Sequence, residues 1–479
     1  MKPQIKKFVL IVTFLVLLTA TIAITSNILK KSDSSKMVAD TTQEPIQNTP
    51  EPTPTANAVE TNTPKPSVFS TLSVTGTLYS TKESTLELPE TFQSQEIVGI
   101  SLVDENDKIL AADYKFKDNQ LYLTPSKDLV GEKTYRLRFF TKDKRKYQSE
   151  LTAADYIKID SNKNSYIKVS AKPDKGYNYP YYLLIPEGTQ SNAGKKYLVV
   201  EPNNTGYPSD YLEFHEIAVK VHLHDYGIIT GGAGGYQVAT GLNTPLLIPV
   251  FPRPNSEDGT GVYVHALDRE TMLARDVDYE RPDLQLIAMI EDAQELLAKY
   301  GIELEKKVFL VGFSASGDFV NRFMFLHPEM VKAVASSSST IFPASEYEGI
   351  KLNYPLGIAD MESLFGIKFN AEEFKSIAKY IYRGDQDGND YTNDNDNNGE
   401  EYVSAIRKLF KDETQPYKWN RKIEIMDNLG YNEHYQYHTY KEIGHRISTD
   451  MFKDIVKFFK ANTGESFTKI TPHEYAGTD

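Results

Sequence analysis

The 479-residue chain has no cysteine and a single tryptophan. The missing thiols exclude disulfides, a cysteine nucleophile and thiolate metal sites, and they leave the compartment open because exported proteins need not carry disulfides. Cations are in deficit too. With 53 Lys and Arg against 66 Asp and Glu, the net charge is -13, and a surface of that sign repels a phosphate backbone, so no nucleic-acid partner is expected. Charged residues at 25% and hydrophobic residues at 40% are ordinary for a folded soluble protein. The length suggests about two or three domains.

At the N-terminus Lys2, Lys6 and Lys7 precede an apolar stretch from Phe8 to Ile24. A secretory apolar region runs about 7–15 residues and a membrane span about 17–25, so length alone does not separate the two. Small residues near Ala20 to Ala23 suit cleavage, whereas Lys30 and Lys31 suit a retained anchor. Residues 1–31 are read as a signal peptide or an N-terminal membrane anchor. The protein is then extracellular, either secreted or held on the outer face of the cytoplasmic membrane by residues 8–29, with no other membrane contact. Residues 32–67, including Thr49-Pro50-Glu51-Pro52-Thr53-Pro54-Thr55, almost lack large apolar side chains. Such a segment buries too little to offset its ordering entropy and reads as a Pro/Thr-rich disordered linker.

Residues 68–153 alternate at the strand period, through Leu72/Val74, Leu86/Leu88, Ile100/Leu102, Tyr114/Phe116, Leu121/Leu123 and Tyr135/Leu137/Phe139. Polar turns fall between them, at Asp104-Glu105-Asn106-Asp107 and Asp118-Asn119. This spacing predicts a small all-β immunoglobulin-like sandwich, serving as spacer, brace or cell-wall contact. Residues 154–479 are mixed α/β. Tyr181–Pro186, Lys196–Val200 and Thr244–Phe251 read as strands. Leu286, Ile290, Ala293 and Leu297 share one helical face after Pro282, and Phe452, Ile455 and Phe459 mark a terminal helix ending near Gly464. Strands alternating with helices predict a mostly parallel sheet covered by helices on both faces. The stretch 341–378 is expected as a lid or pocket wall.

The most informative segment is Lys307-Val308-Phe309-Leu310-Val311-Gly312-Phe313-Ser314-Ala315-Ser316-Gly317. An apolar run ending in G-x-S-x-G and then a helix is a nucleophile elbow, whose turn tolerates only small neighbours. Ser316 occupies the last glycine position of the pattern, a mild departure followed by Gly317. A serine hydroxyl needs a histidine to take its proton and a carboxylate to orient that histidine, in the chain order Ser, acid, His. Gly384-Asp385-Gln386-Asp387 ends a predicted strand and makes Asp387 the first candidate acid, with Asp385, Asp390 and Asp360 as rivals. Of nine histidines, His445 in Gly444-His445 lies just before the terminal helix, where the base belongs. His222 and His224 read as structural, His265 as a pocket-lining candidate and His327 as a helix cap. For the oxyanion the backbone N–H of Ala315 is one donor; the other comes from Glu201-Pro202-Asn203-Asn204-Thr205-Gly206, with Asn204 preferred over Asn203 and Thr205. Gly231-Gly232-Ala233-Gly234-Gly235 lacks the Lys-Ser/Thr of a phosphate loop and reads as a flexible turn. Asp394-Asn395-Asp396-Asn397-Asn398-Gly399 imitates half of a calcium loop, but Ala405 stands where a bidentate Glu is needed; whether the acidic loop 385–401 holds calcium stays open, and no metal site is assigned.

With these motifs in place, residues 154 to about 465 resemble the α/β-hydrolase superfamily, and in particular secreted bacterial esterases similar to polyhydroxybutyrate depolymerases and feruloyl or acetyl xylan esterases. The resemblance implies cofactor-free acyl transfer from a small-molecule or polymeric ester: Ser314 attacks, His445 acts as base and then acid, Asp387 orients it, and water releases the acyl enzyme. It departs from many lipases in lacking H-G-G-G. A serine peptidase or acylaminoacyl hydrolase would use the same residues. A non-catalytic surface adhesion protein is the reading from a different class.

Overall fold

The computed structural model describes residues 69–204, 208–224, 232–255, 262–337, 341–389 and 398–475. The N-terminal segment 1–31, the linker, Thr205, Gly231, Asp390 and the acidic run 394–397 lie outside the described residues.

Alternation at period two builds the first module. In Thr134–Thr141 every second side chain is buried, placing Tyr135, Leu137 and Phe139 against Leu86, Leu121 and Leu123 from the opposite sheet. One sheet runs Thr75–Gly76, Ser84–Glu87, Gln120–Pro125, Ala112–Lys117. The other runs Ser70–Thr71, Lys146–Ala154, Thr134–Thr141, Ile97–Val103, Ile109–Leu110, with Leu78–Tyr79 also paired to Lys146–Ala154. The Asp118-Asn119 turn is a two-residue hairpin with φ of 50° and 61°, the left-handed pair that matches strand twist. Lys146–Ala154 was hidden in the sequence because two of its three inward positions carry the small residues Ser149 and Ala153.

The second module is a sheet of eight strands: β1 (Ser165–Val169), β2 (Tyr181–Ile185), β3 (Val199–Val200), β4 (Leu246–Pro249), β5 (Val308–Gly312), β6 (Val331–Ser336), β7 (Ala378–Gly384) and β8 (Tyr435–Tyr440). Their spatial order is β1-β2-β4-β3-β5-β6-β7-β8, with β2 antiparallel to its neighbours and every pairing from β4 to β8 parallel. Two expected strands are shorter than their apolar runs. Pro245 beside β3 offers only its carbonyl, accepting from Val199 N–H at 2.9 Å, and a proline donates nothing to extend the ladder.

Successive residues of the central strands face opposite layers, so their sequences read as unbroken apolar runs. Leu310 and Val334 pack with Leu286, Met289 and Ile290 of the helix Pro282–Ala298. Phe309, Val311 and Ala333 pack with Val219 of α1 (Leu212–His222), Val238 of α2 (Gly235–Leu242) and Phe452 and Phe459 of the helix Thr449–Ala461. A largely parallel sheet covered on both faces, with a strand–turn–helix elbow after β5, is the α/β-hydrolase architecture. In the stretch 341–378, Ile341, Phe342, Leu352, Tyr354 and Leu356 belong to the core. There Asp360 pairs with Arg269 at 2.7 Å and accepts from Tyr354 N–H at 2.7 Å, which removes it as a rival acid.

The two modules share one compact unit, Ser67–Asp479, and a buried polar cluster joins them. Asp155 accepts from the Ser80 and Ser170 hydroxyls, each at 2.7 Å. Lys172 lies 3.5 Å from Asp155 and 3.1 Å from Asp292, all three side chains under 7% exposed. Tyr177 and Tyr181 donate to Asp292 at 2.9 and 2.7 Å. Burial would raise the Asp292 carboxyl, but the Lys175 hydrogen bond and the nearby Lys172 charge outweigh it and hold it below the usual carboxylate range. Removing one partner of a buried ion pair strands the others. Lys172→Met is therefore expected to lower the unfolding free energy by about 3 kcal/mol, measured by urea denaturation at neutral pH; a loss under about 1 kcal/mol would show that the cluster is solvated.

Candidate active site

β5 runs fully buried into Phe313 and then Ser314, whose φ of 57° and ψ of -128° place it outside helix and strand alike. A side chain on Gly312 would put its Cβ 2.3 Å from the Ser316 carbonyl oxygen, so strand and helix approach only because that position is bare. Ser316, the departure from the pattern, closes the turn: its hydroxyl accepts from Phe313 N–H at 2.9 Å and donates to Phe313 O at 2.8 Å. Ser337, just beyond β6, accepts from Ser314 N–H at 2.9 Å. The helix that follows, α3 (Ala315–Leu326), is buried along its whole length. Ala315 N–H is its first amide, at the electropositive end of the helix.

Asp387 and His445 arrive on two loops that cross at the ends of β7 and β8. Gln386 N–H donates to Ile443 O at 3.0 Å, and a Cβ on Gly384 would lie 2.1 Å from that same carbonyl. Buried Arg383 donates to Gly384 O at 2.9 Å and to the Asp387 carbonyl. Above this crossing His445 Nδ1 lies 3.0 Å from Asp387 Oδ2, and Nε2 lies 3.1 Å from Ser314 Oγ. Phe313 stacks on the imidazole at 4.7 Å between centroids. The structure thus brings Ser314, His445 and Asp387 together. Asp385 Oδ1 faces Ile443 N–H at 3.4 Å and braces the loop instead.

Asn204 is placed against the elbow, but its side-chain oxygen accepts from Ser316 N–H at 3.3 Å. Any donor it offers an oxyanion is therefore an N–H group. Asn203 Oδ1 accepts from Phe251 N–H at 2.9 Å and points away. His265 does not line the pocket: it is buried with Nδ1 2.9 Å from Asn204 O and Nε2 2.9 Å from Phe251 O. Burial pushes its pKa down to about 3, which removes it as a competing base. His327 caps the end of α3 and also meets Asp283 at 2.8 Å.

The glycine-rich segment, expected as a flexible turn, is clamped. Ala233 and Gly235 donate their N–H groups to the buried Glu201 carboxyl at 2.7 and 2.6 Å, and Gly234 takes a φ of 87° at the cap of α2. His222 Nδ1 lies 3.6 Å from Glu201 Oε1, in keeping with its structural reading. Glu201, Ser337, Phe313 and Asn389 are the site residues that sequence reasoning missed; each acts on a partner distant in the chain, and no local pattern marks them.

Two outcomes follow from this packing. Gly384→Ala drives the Ile443–His445 loop away from Asp387, so kcat/KM on an activated ester is expected to fall by about 10²-fold with the fold retained by circular dichroism. Burial raises the Glu201 carboxyl to about 7 from a reference of 4.5, with the Ala233 and Gly235 amides opposing it. The native state then binds more protons than the unfolded chain between those values, and stability falls as pH rises through that window. Glu201→Gln is expected to flatten that slope in thermal unfolding between about pH 5 and 8.

No protein-family model matches the chain, and no curated protein matches it. Among solved structures the chain is similar to an S-formylglutathione hydrolase from Agrobacterium tumefaciens, at 12% identity over 64% of this chain and 95% of that one, with a TM-score of 0.34. It is similar to a siderophore hydrolase from Aspergillus nidulans at 12% identity over 65% and 99%, TM-score 0.31. An acetyl xylan esterase from Aspergillus awamori matches at 13% identity over 61% and 97%, TM-score 0.31. Likenesses this distant leave the fold to rest on the chain's own strand order and elbow.

Proposed function

We propose that the chain is a serine hydrolase that cleaves carboxylic esters through an acyl-enzyme intermediate. The observation that carries this reading is the unbroken relay from Asp387 Oδ2 through His445 to Ser314 Oγ, at 3.0 and 3.1 Å, with the serine half-exposed at an elbow. Asp387 favours the tautomer with the proton on Nδ1, so the Nε2 lone pair takes the serine proton as Oγ bonds to the ester carbonyl carbon. Charge then builds on the carbonyl oxygen, where Ala315 N–H and an N–H of Asn204 stabilise it. Nε2–H returns its proton to the departing alkoxide. Water repeats the sequence with the same base and frees the acid and Ser314.

The finer readings rest on separate supports. An extracytoplasmic location is supported by the lysine-led apolar stretch from Phe8 to Ile24. An immunoglobulin-like class for the first module is supported by two antiparallel sheets around one core, Ser84–Glu87, Gln120–Pro125 and Ala112–Lys117 in one and Lys146–Ala154, Thr134–Thr141 and Ile97–Val103 in the other.

The test is labelling of the purified full chain by a fluorophosphonate, with turnover of nitrophenyl esters of several chain lengths and of a peptide amide panel. Ser314→Ala is expected to abolish labelling and lower ester turnover by at least about 10³-fold, and Asp387→Asn to lower it by about 10²–10⁴-fold. Labelling that persists in Ser314→Ala sinks the nucleophile, amide turnover outrunning ester turnover moves the protein to the peptidases, and an unlabelled wild type favours the adhesion reading.

A further inference from the structure

We propose that His473 is a positioning residue of this site: through Asp454 it holds together the two ends of the loop that carries His445. The proposal rests on the hydrolase reading above and deepens it. Residues 441–448 join the end of β8 to the helix Thr449–Ala461, with His445 near their middle. The loop after β7 meets this span at Ile443. A separate set of bonds fixes its ends.

Those ends meet at one carboxylate. Asp454, in the second turn of the helix Thr449–Ala461, is fully buried. Its Oδ2 accepts from the hydroxyl of Tyr440, the last residue of β8, at 2.9 Å, and from His473 N–H at 2.8 Å. Its Oδ1 lies 2.8 Å from His473 Nδ1. A carboxylate facing three donors only accepts, so Nδ1 carries a proton there and Tyr440 gives its one hydrogen to Asp454. Tyr380 of β7, with its hydroxyl 2.7 Å from that of Tyr440, therefore donates to it. One buried group thus joins β7, β8, the helix after the loop and the segment that carries His473.

That segment, residues 464–475, runs along β8, the last strand in the sheet order, and is fastened at intervals. Ile470 exchanges two hydrogen bonds with the Gln436 side chain, each of 2.9 Å. His438 Nε2 lies 2.8 Å from His473 O, and the N–H of Lys441, the first residue of the histidine loop, donates to Glu474 O at 2.9 Å. The His473 side chain is 41% exposed, yet it covers a carboxylate that is not exposed at all. Lys457 Nζ, 3.8 Å from Oδ1, stands on the same helix as Asp454 and cannot replace this tie. Without His473, water reaches Asp454 and competes for the Tyr440 hydroxyl, which frees the two ends of the loop to part.

The effect falls on chemistry more than on substrate binding. The elbow's own bonds and Asn204 hold Ser314 and the Ala315 amide, so a loosened histidine loop leaves them in place. A drift of the imidazole by about 1 Å is enough to cost about 10²-fold in rate.

The experiment compares the full chain with its His473→Ala, His473→Gln and His473→Asn variants. The readouts are kcat and KM on nitrophenyl acetate, the rate of fluorophosphonate labelling, and hydrogen exchange of the amides in 441–448. The Ala and Gln variants are expected to lower kcat and the labelling rate by about 10–10²-fold with KM within about twofold, and to speed exchange across 441–448. Gln keeps the bulk but sets its amide where Nε2 was, so it carries the test if the Ala variant is unstable. Asn sets an amide N–H at the Nδ1 position and is expected to restore both rate and protection. Wild-type kcat in the Ala and Gln variants, KM rising in step with the loss, or no rescue by Asn overturns the role of His473. An unlabelled wild type overturns the hydrolase reading, while the exchange comparison still shows whether His473 holds the loop.

Discussion

The site depends on one strained residue. Ser314 sits at φ 57° and ψ -128°, a conformation that costs on the order of 1–3 kcal/mol and persists only where the surroundings over-determine it. Here three constraints do so. The Ser316 hydroxyl bonds both backbone groups of Phe313, Ser337 takes the Ser314 amide, and bare Gly312 lets α3 sit almost in contact with β5. The helix cannot relax away because every residue of it is buried. The strain is held by the core of the module, and it projects Oγ beyond the carboxyl end of the sheet, where the loops after β7 and β8 can reach it.

Those loops show which parts of the site were legible in the sequence. Ser314 and Asp387 each end a predicted strand, His445 lies just before the terminal helix, and the three come in the expected order, so local patterns along one dimension sufficed to nominate them. Their supports are another matter. Asn389 meets a ring 56 positions away, Asn204 meets Ser316 across 112, and Glu201 meets Ala233 across 32. Such contacts follow from strand order, and no propensity or period encodes them. The substitution of Ser316 for glycine is instructive: the pattern treats it as a defect, while in the fold its hydroxyl supplies the turn's own hydrogen bonds.

The same distinction applies to the first module. Its alternation was readable, apart from Lys146–Ala154, but its attachment was not, because Ser80 and Asp155 stand 75 residues apart. The attachment matters for the second module as well. Tyr177 and Tyr181, which complete the Asp292 cluster, lie beside and within β2, so the larger sheet and the seat of the β-module share one set of hydrogen bonds.

Asp292 and Glu201 are two solutions to the same problem, a carboxyl group removed from water. Lysines surround Asp292, and it stays ionised at any pH near neutrality. Glu201 has two amides and no lysine beside it, and burial lifts it to about 7. The junction therefore keeps its strength through the neutral range while the segment leading to Asn204 does not. Lowering the pH through that window therefore firms the Glu201 anchor and leaves the Asp292 cluster ionised.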